Sequence, residues 1–180
     1  MVIDVQRAID DPVWAAAGPR NHPEAESNIA RLLAAWRATG RPVIHIRHDS
    51  TFPESTYRPG QPGNEFKAEV TPLAGETVIV KRTNSAFIGT DLAGVLERAG
   101  IRTLFAVGVQ TNCCVEGTVR MAGNLGFETY VIEDACFTFA RRDYDGRLRT
   151  AQEVHAMSLA NLDGEYCTVT SSAAVLQAAG

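Results

Sequence analysis

Short β-rich runs alternate along the chain with longer stretches of helical spacing. Val2-Ile3-Asp4-Val5 reads as a strand close to the first residue. Ile29, Leu32, Leu33 and Trp36 follow the i, i+3, i+4, i+7 spacing of one helix face, so residues 24–39 read as an amphipathic helix that stops at Gly40. Pro42-Val43-Ile44-His45-Ile46 is a second strand, and Thr77-Val78-Ile79-Val80 is a third that runs into Lys81. Between them, residues 50–72 hold many Pro, Gly and Thr and show no period. A loop of that length inside a domain is commonly a lid or a binding wall.

Downstream, Thr90 stands where a helix cap is expected, followed by Leu92, Val95, Leu96 and Ala99 on one stripe and Gly100 as a stop. A strand at 103–107, a turn at Gly108–Asn112 and a helix from about Cys113 come next. Strand 128–132, a charged loop around Arg141–Arg149, helix 147–162, strand 165–169 and a short last helix complete the pattern. There is no internal repeat and no linker, so residues 1–180 read as one domain. About six strands in βαβ order predict an α/β fold: a mainly parallel sheet with helices on both faces.

Composition removes several classes of function. Hydrophobic residues make up 45% and charged residues 21%, which is ordinary globular usage and excludes disorder. Seventeen Lys+Arg against 21 Asp+Glu give a net charge of −4 with no basic stripe, so neither nucleic acid nor an anionic membrane is an expected partner. No apolar run approaches the ~20 residues of a membrane span, and Asp4 interrupts the stretch a signal peptide would need. A soluble, cytoplasmic protein is expected. Its four cysteines, Cys113, Cys114, Cys136 and Cys167, form no CxxC pair and read as reduced thiols. Without GxGxxG after a strand or GxxxxGK[ST], a phosphate cradle is missing and no cofactor is expected.

In doubly wound sheets, ligands bind at the carboxyl ends of the strands. Three chemically capable residues stand at strand exits: Asp4 after the first, Lys81 after the third, and Cys114 just past the fourth. Lys81 is conspicuous because only it and Lys67 are lysines among 17 basic residues, and an ammonium is a compact cation with a pKa that burial shifts readily. A cation or helix N-terminus beside a thiol is expected to favour thiolate. Asp4 could take the thiol proton and return it to a leaving group, while backbone amides of the Gly108–Cys114 turn could hold an oxyanion. Each residue also has a bland reading: a turn-capping Asp, a surface Lys, a buried Cys. His45 and His155 read as structural histidines. His48 and Asp49 follow strand two where they could touch a ligand, but two residues are too few for a catalytic metal site.

At these residues the sequence resembles the isochorismatase-like cysteine hydrolases, which include nicotinamidases and N-carbamoylsarcosine amidases. The resemblance lies in Val2-Ile3-Asp4-Val5-Gln6, in Lys81-Arg82-Thr83-Asn84-Ser85-Ala86-Phe87 and in Gly108-Val109-Gln110-Thr111-Asn112-Cys113-Cys114-Val115. It continues through Met121–Phe127 and Glu133-Asp134-Ala135, covering nearly the whole chain in order. It implies a single-domain, Rossmann-like three-layer fold and an Asp4, Lys81, Cys114 triad. It also implies a cis peptide between Val109 and Gln110, with the Gln110 and Cys114 amides as oxyanion hole. Homo-oligomers are common in such a family and are expected here. The first strand is short for the family, and His45-Ile46-Arg47-His48-Asp49 does not reproduce the Asp-x-His of the nicotinamidase metal site, so no catalytic metal is expected. The expected activity is cleavage of a C–N bond in a small amide, ureide or lactam through a thioester. The alternatives are an isochorismatase-type vinyl-ether hydrolase and a silent binding protein on the same fold.

Overall fold

The computed structural model describes residues 1–179. Five helices and eight strands are present among them: β1 (Val2–Ile3), α1 (Ala25–Ala38), β2 (Ile44–His48), β3 (Thr77–Lys81), α2 (Leu92–Arg98), β4 (Thr103–Val109), α3 (Glu116–Asn124), β5 (Glu128–Phe137), β6 (Arg141–Arg142), β7 (Leu148–Arg149), α4 (Ala151–Ala160), β8 (Thr168–Thr170) and α5 (Ser172–Ala179). Six strands form one parallel sheet in the order β3-β2-β1-β4-β5-β8, and β6 and β7 form a separate antiparallel pair.

The sheet is covered on both faces because its strands alternate apolar residues. Val2, Val107 and Ile132 pack with Ile29, Leu32 and Leu33 of α1 and Val175 of α5. Their neighbours Ile3, Ala106 and Val131 point the other way, onto Leu92 and Leu96 of α2, Val119 and Ala122 of α3, and Leu162. The period of two along each strand thus produces the three layers.

Element ends differ from the sequence expectation for identifiable reasons. Strand two begins at Ile44 and not at Pro42; proline has no N–H to give a ladder. The helix expected over 147–162 runs from Ala151 to Ala160, because Thr150 and Glu153 form a reciprocal capping box at its start. The charged stretch before it folds back as β6 and β7. The last strand occupies 168–170 instead of 165–169. The helix expected from Cys113 is split into a π turn over Thr111–Val115 and then α3. Thr90 does not hold the cap position itself, but its Oγ1 accepts from the Leu92 amide at 3.3 Å. The aperiodic stretch 50–72 carries two short 3₁₀ turns, Pro62–Asn64 and Ala68–Val70, and buries Tyr57 and Val70.

Candidate active site

Three strand exits meet at the carboxyl edge of the sheet. Ile3 is in register with Ile46 on one side and with Gly108 on the other. Gly108 has to be glycine: its φ is +130°, and a Cβ there would run into the backbone carbonyl of Ile3. That close approach brings the end of β4 hard against the end of β1. Asp4 then leaves the ladder with a φ of +54°, a region that Asp tolerates better than most residues. The peptide between Val109 and Gln110 is cis, and the π turn that follows carries Cys114.

Lys81 ends β3, two strands away from β1, and pairs in register with His48 of β2. Two inter-strand spacings are about 10 Å, a gap that only a long stem such as that of lysine can bridge. The Lys81 side chain donates to Asp4 Oδ2 at 2.6 Å and to the Thr83 carbonyl at 3.1 Å. It also stands 3.3 Å from Cys114 Sγ and 3.1 Å from His48 Nδ1. Both ends of the ion pair are sealed, Lys81 at 1% and Asp4 at 2% exposure. Burying two charges is tolerable because each compensates the other. Asp4 Oδ1, by contrast, has no hydrogen-bond partner. One carboxylate oxygen is therefore committed to Lys81 and the other is open to a proton.

The electrostatics reverse one expectation. Burial raises the Asp4 carboxyl above the usual range, and Lys81 only partly offsets that effect. Burial, followed by the Asp4 charge, pushes the Cys114 thiol well above its ordinary value, against the smaller pull of Lys81. A cation beside a thiol favours thiolate, but at Cys114 burial and the Asp4 charge outweigh it. The resting thiol keeps its proton, beside a carboxyl placed to take it. Burial and then Lys81 lower His48 to about 4, so its imidazole is neutral at pH 7 and its Nδ1 accepts from Lys81.

Of the residues singled out from the sequence, Asp4, Lys81, Cys114 and His48 come together. Asp49 is taken up by Arg47 and Asn64. His45 is fully buried on Glu76, and His155 is bound to Thr111, both with structural contacts. Cys113 is next to Cys114, yet the hydrogen bonds that reach Lys81 and Asn84 (3.8 Å) belong to Cys114. Sequence reasoning missed Tyr57, whose buried hydroxyl donates to the Asp4 carbonyl at 3.4 Å; it comes from the stretch without a period. It also missed the work of Gln6. That fully buried amide accepts from the His48 amide at 2.7 Å and donates to the carbonyls of His48 and Asn64, tying the exit of β1 to that of β2. A cavity of about 770 Å³ lies at the opposite edge of the sheet, lined by Met1, Trp36, Arg102 and Phe105, and holds none of these groups.

A three-layer α/β domain with a sealed Asp–Lys pair against a thiol at the carboxyl edge defines a hydrolase fold of the isochorismatase type. The chain belongs to the isochorismatase family: the isochorismatase domain matches residues 1–174. It is similar to a solved isochorismatase-family structure from Chromobacterium violaceum, with a TM-score of 0.95 and 62% identity over 99% of this chain and 91% of that one. The isochorismatase family protein YrdC of Bacillus subtilis is 41% identical over 172 residues, 96% of this chain and 90% of that protein. The ureidoacrylate amidohydrolase of Variovorax paradoxus is 30% identical over 138 residues, 61% of this chain and 54% of that protein. No helix among the described residues is long and apolar enough to cross a membrane.

Proposed function

We propose that this isochorismatase-family hydrolase cleaves a C–N bond of a small amide, ureide or lactam with Cys114 as nucleophile. The observation that carries the reading is the placement of Lys81 Nζ, 2.6 Å from Asp4 Oδ2 and 3.3 Å from Cys114 Sγ. Asp4 takes the thiol proton on its open oxygen as sulfur attacks the carbonyl carbon. The oxyanion that forms is held by the amides of Gln110 and Cys114, donors fixed in place before the reaction. In support, the amides of Cys113 and Val115 already donate to the Gln110 carbonyl, while that of Cys114 reaches no carbonyl outside its own turn. Asp4 then returns the proton to the departing nitrogen, which leaves as ammonia or amine. A water, deprotonated by Asp4, attacks the thioester and releases the acid, regenerating the thiol.

Lys81 keeps Asp4 ionised enough to act as a base despite its burial, and it stabilises sulfur as charge develops there. Because the resting thiol is protonated, proton transfer and attack belong to the same event. The presence of a thiol where a vinyl-ether hydrolase needs only a proton donor favours the amide reading, as does the similarity to the ureidoacrylate amidohydrolase. The four cysteines are free thiols, in keeping with a cytoplasmic location. Self-association belongs to the same proposal, with Val78 and Val80 exposed at 39% and 40% on edge strand β3 as the supporting observation; sedimentation of Val78→Asp against wild type tests it.

Release of ammonia from a panel of carboxamides, ureides and lactams identifies the substrate. Intact-protein mass spectrometry with a slow amide then tests the chemistry. An acyl mass added to Cys114 is expected; turnover with no adduct in Cys114→Ala-sensitive position, and full rate in that variant, would refute the thiol mechanism.

A further inference from the structure

Away from Cys114, three side chains from separate segments converge: His22 from the stretch before α1, Glu133 from β5 and His155 from α4. One ligand atom of each lies within 4.8 Å of the others. His155 is 1% exposed, and its Nε2 has no hydrogen-bond partner among the described residues; the same holds for His22 Nε2. The opposite ring nitrogens are both occupied. His155 Nδ1 is 2.9 Å from the Thr111 hydroxyl, and His22 Nδ1 is 3.1 Å from Glu24 Oε1. The Glu24 carboxylate can only accept, so it holds the His22 proton on Nδ1 and leaves the Nε2 lone pair free, as carboxylates do behind metal-bound histidines; the Thr111 hydroxyl, donor or acceptor, accommodates the same tautomer of His155. A cation among them would satisfy two ring nitrogens and a carboxylate oxygen at once.

We propose that His22, Glu133 and His155 bind a divalent transition-metal ion, zinc foremost, at a structural site separate from the Cys114 centre. Tetrahedral zinc with bonds of ~2.0–2.1 Å holds its ligand atoms about 3.4 Å apart. The pair His22 Nε2 and Glu133 Oε2 is already at 3.5 Å, and the His155 ring nitrogen lies within 4.8 Å of both. Two imidazoles and one carboxylate are a ligand set that zinc accepts, with water as the fourth ligand. Solvent reaches the point through Glu133, whose side chain is 35% exposed. His22 holds a φ of +44°, in the left-handed region that a non-glycine residue adopts where its surroundings demand it. The ion would join three segments distant in sequence. Through the His155 bond to Thr111 it would also brace the first residue of the π turn that carries Cys114.

The test titrates metal-stripped protein with zinc chloride by calorimetry and with cobalt chloride by visible absorption. One equivalent per chain is expected, with a cobalt spectrum of nitrogen and oxygen ligation that lacks the near-ultraviolet thiolate band. Glu133→Gln and His22→Ala should each weaken zinc at least tenfold and abolish the rise in Tm that saturating zinc gives the wild type. Far-UV circular dichroism checks that both variants are folded. The cobalt spectrum of the wild type decides the ligand type even if a variant fails to fold. No binding by the folded wild type, binding untouched by either substitution, or a thiolate band that assigns the ion to a cysteine would each overturn the site.

Discussion

Lys81 Nζ donates to Asp4 Oδ2 at 2.6 Å, with both side chains closed off from solvent. Neither residue can be changed alone without leaving the other as a buried, unpaired charge, a loss of about 3–5 kcal/mol in comparable pairs. Lys81→Ala should therefore lower stability by that amount and turnover by at least ~100-fold, the scale of a misplaced catalytic group. Lys81→Arg is the more informative variant. It keeps the charge, but a planar guanidinium does not fit among Asp4, His48, Thr83 and Cys114. It should lose nearly as much activity as the alanine variant while recovering part of the stability. A wild-type rate in Lys81→Arg, measured by ammonia release, would mean the position only carries charge.

Gly108→Ala should damage the fold and the site together. The added methyl group meets the Ile3 backbone, which cannot move without breaking the register of β1 and β4. The residue's φ of +130° is also outside what alanine adopts comfortably. A loss of about 2–3 kcal/mol is expected, or a Tm lower by roughly 5–10 °C for a chain of this size. Calorimetry measures it; an unchanged Tm would show that the strands are not held this closely.

Much of this was readable from the sequence, and the failures have physical causes. The βαβ order of β-rich runs and helical stretches gave the parallel sheet with helices on both faces, and in the structure neighbours such as Val2-Ile3 and Val131-Ile132 feed its two opposite faces. The same logic placed Asp4, Lys81 and Cys114 at one edge, because strand exits of a parallel sheet share an edge. What could not be read was anything depending on depth. The sign of the Cys114 shift turns on burial, and charge alone pointed the wrong way. Tyr57 and Asn64 reach the site from a stretch with no period, so no spacing rule could aim them. His22 and His155 are 133 positions apart and meet only through the tertiary fold.

Acid should unfold the protein through a carboxylate far from Cys114. Glu76 accepts from Arg37 at 2.7 and 2.9 Å, from the Leu73 amide at 2.8 Å, and pairs with His45 at 2.8 Å. The Arg37 bonds, against the cost of burial, hold its pKa at about 2. Glu26 also lies at about 2; burial pushes it up, but Arg20 and Lys67 outweigh that. A folded-state pKa below the unfolded value means stability that is present above about pH 4.5 and lost as pH falls toward about 2. Denaturation followed from pH 6 to pH 2 should show a falling stability, and Glu76→Gln should flatten the slope by roughly 2 kcal/mol over that window. An identical slope in the variant would remove Glu76 from the account.

The adjacent cysteines should part company in every assay. Successive residues in a helical turn point ~100° apart, and it is Cys114 that reaches Lys81 and Asn84. Cys114→Ala should lose the nucleophile, with turnover down by roughly 10⁴-fold or more, whereas Cys113→Ala should keep most of its rate. Alkylation tests the protonation state separately. Burial and Asp4 raise the Cys114 thiol well above its ordinary value, so without substrate it should react with iodoacetamide more slowly at pH 7 than a free thiol does. Its rate should keep climbing as pH rises past 9. Peptide mapping against time at several pH values reads both residues at once. Rapid labelling of Cys114 at pH 7 would make the thiolate the resting species, and proton transfer would then precede substrate binding instead of accompanying attack.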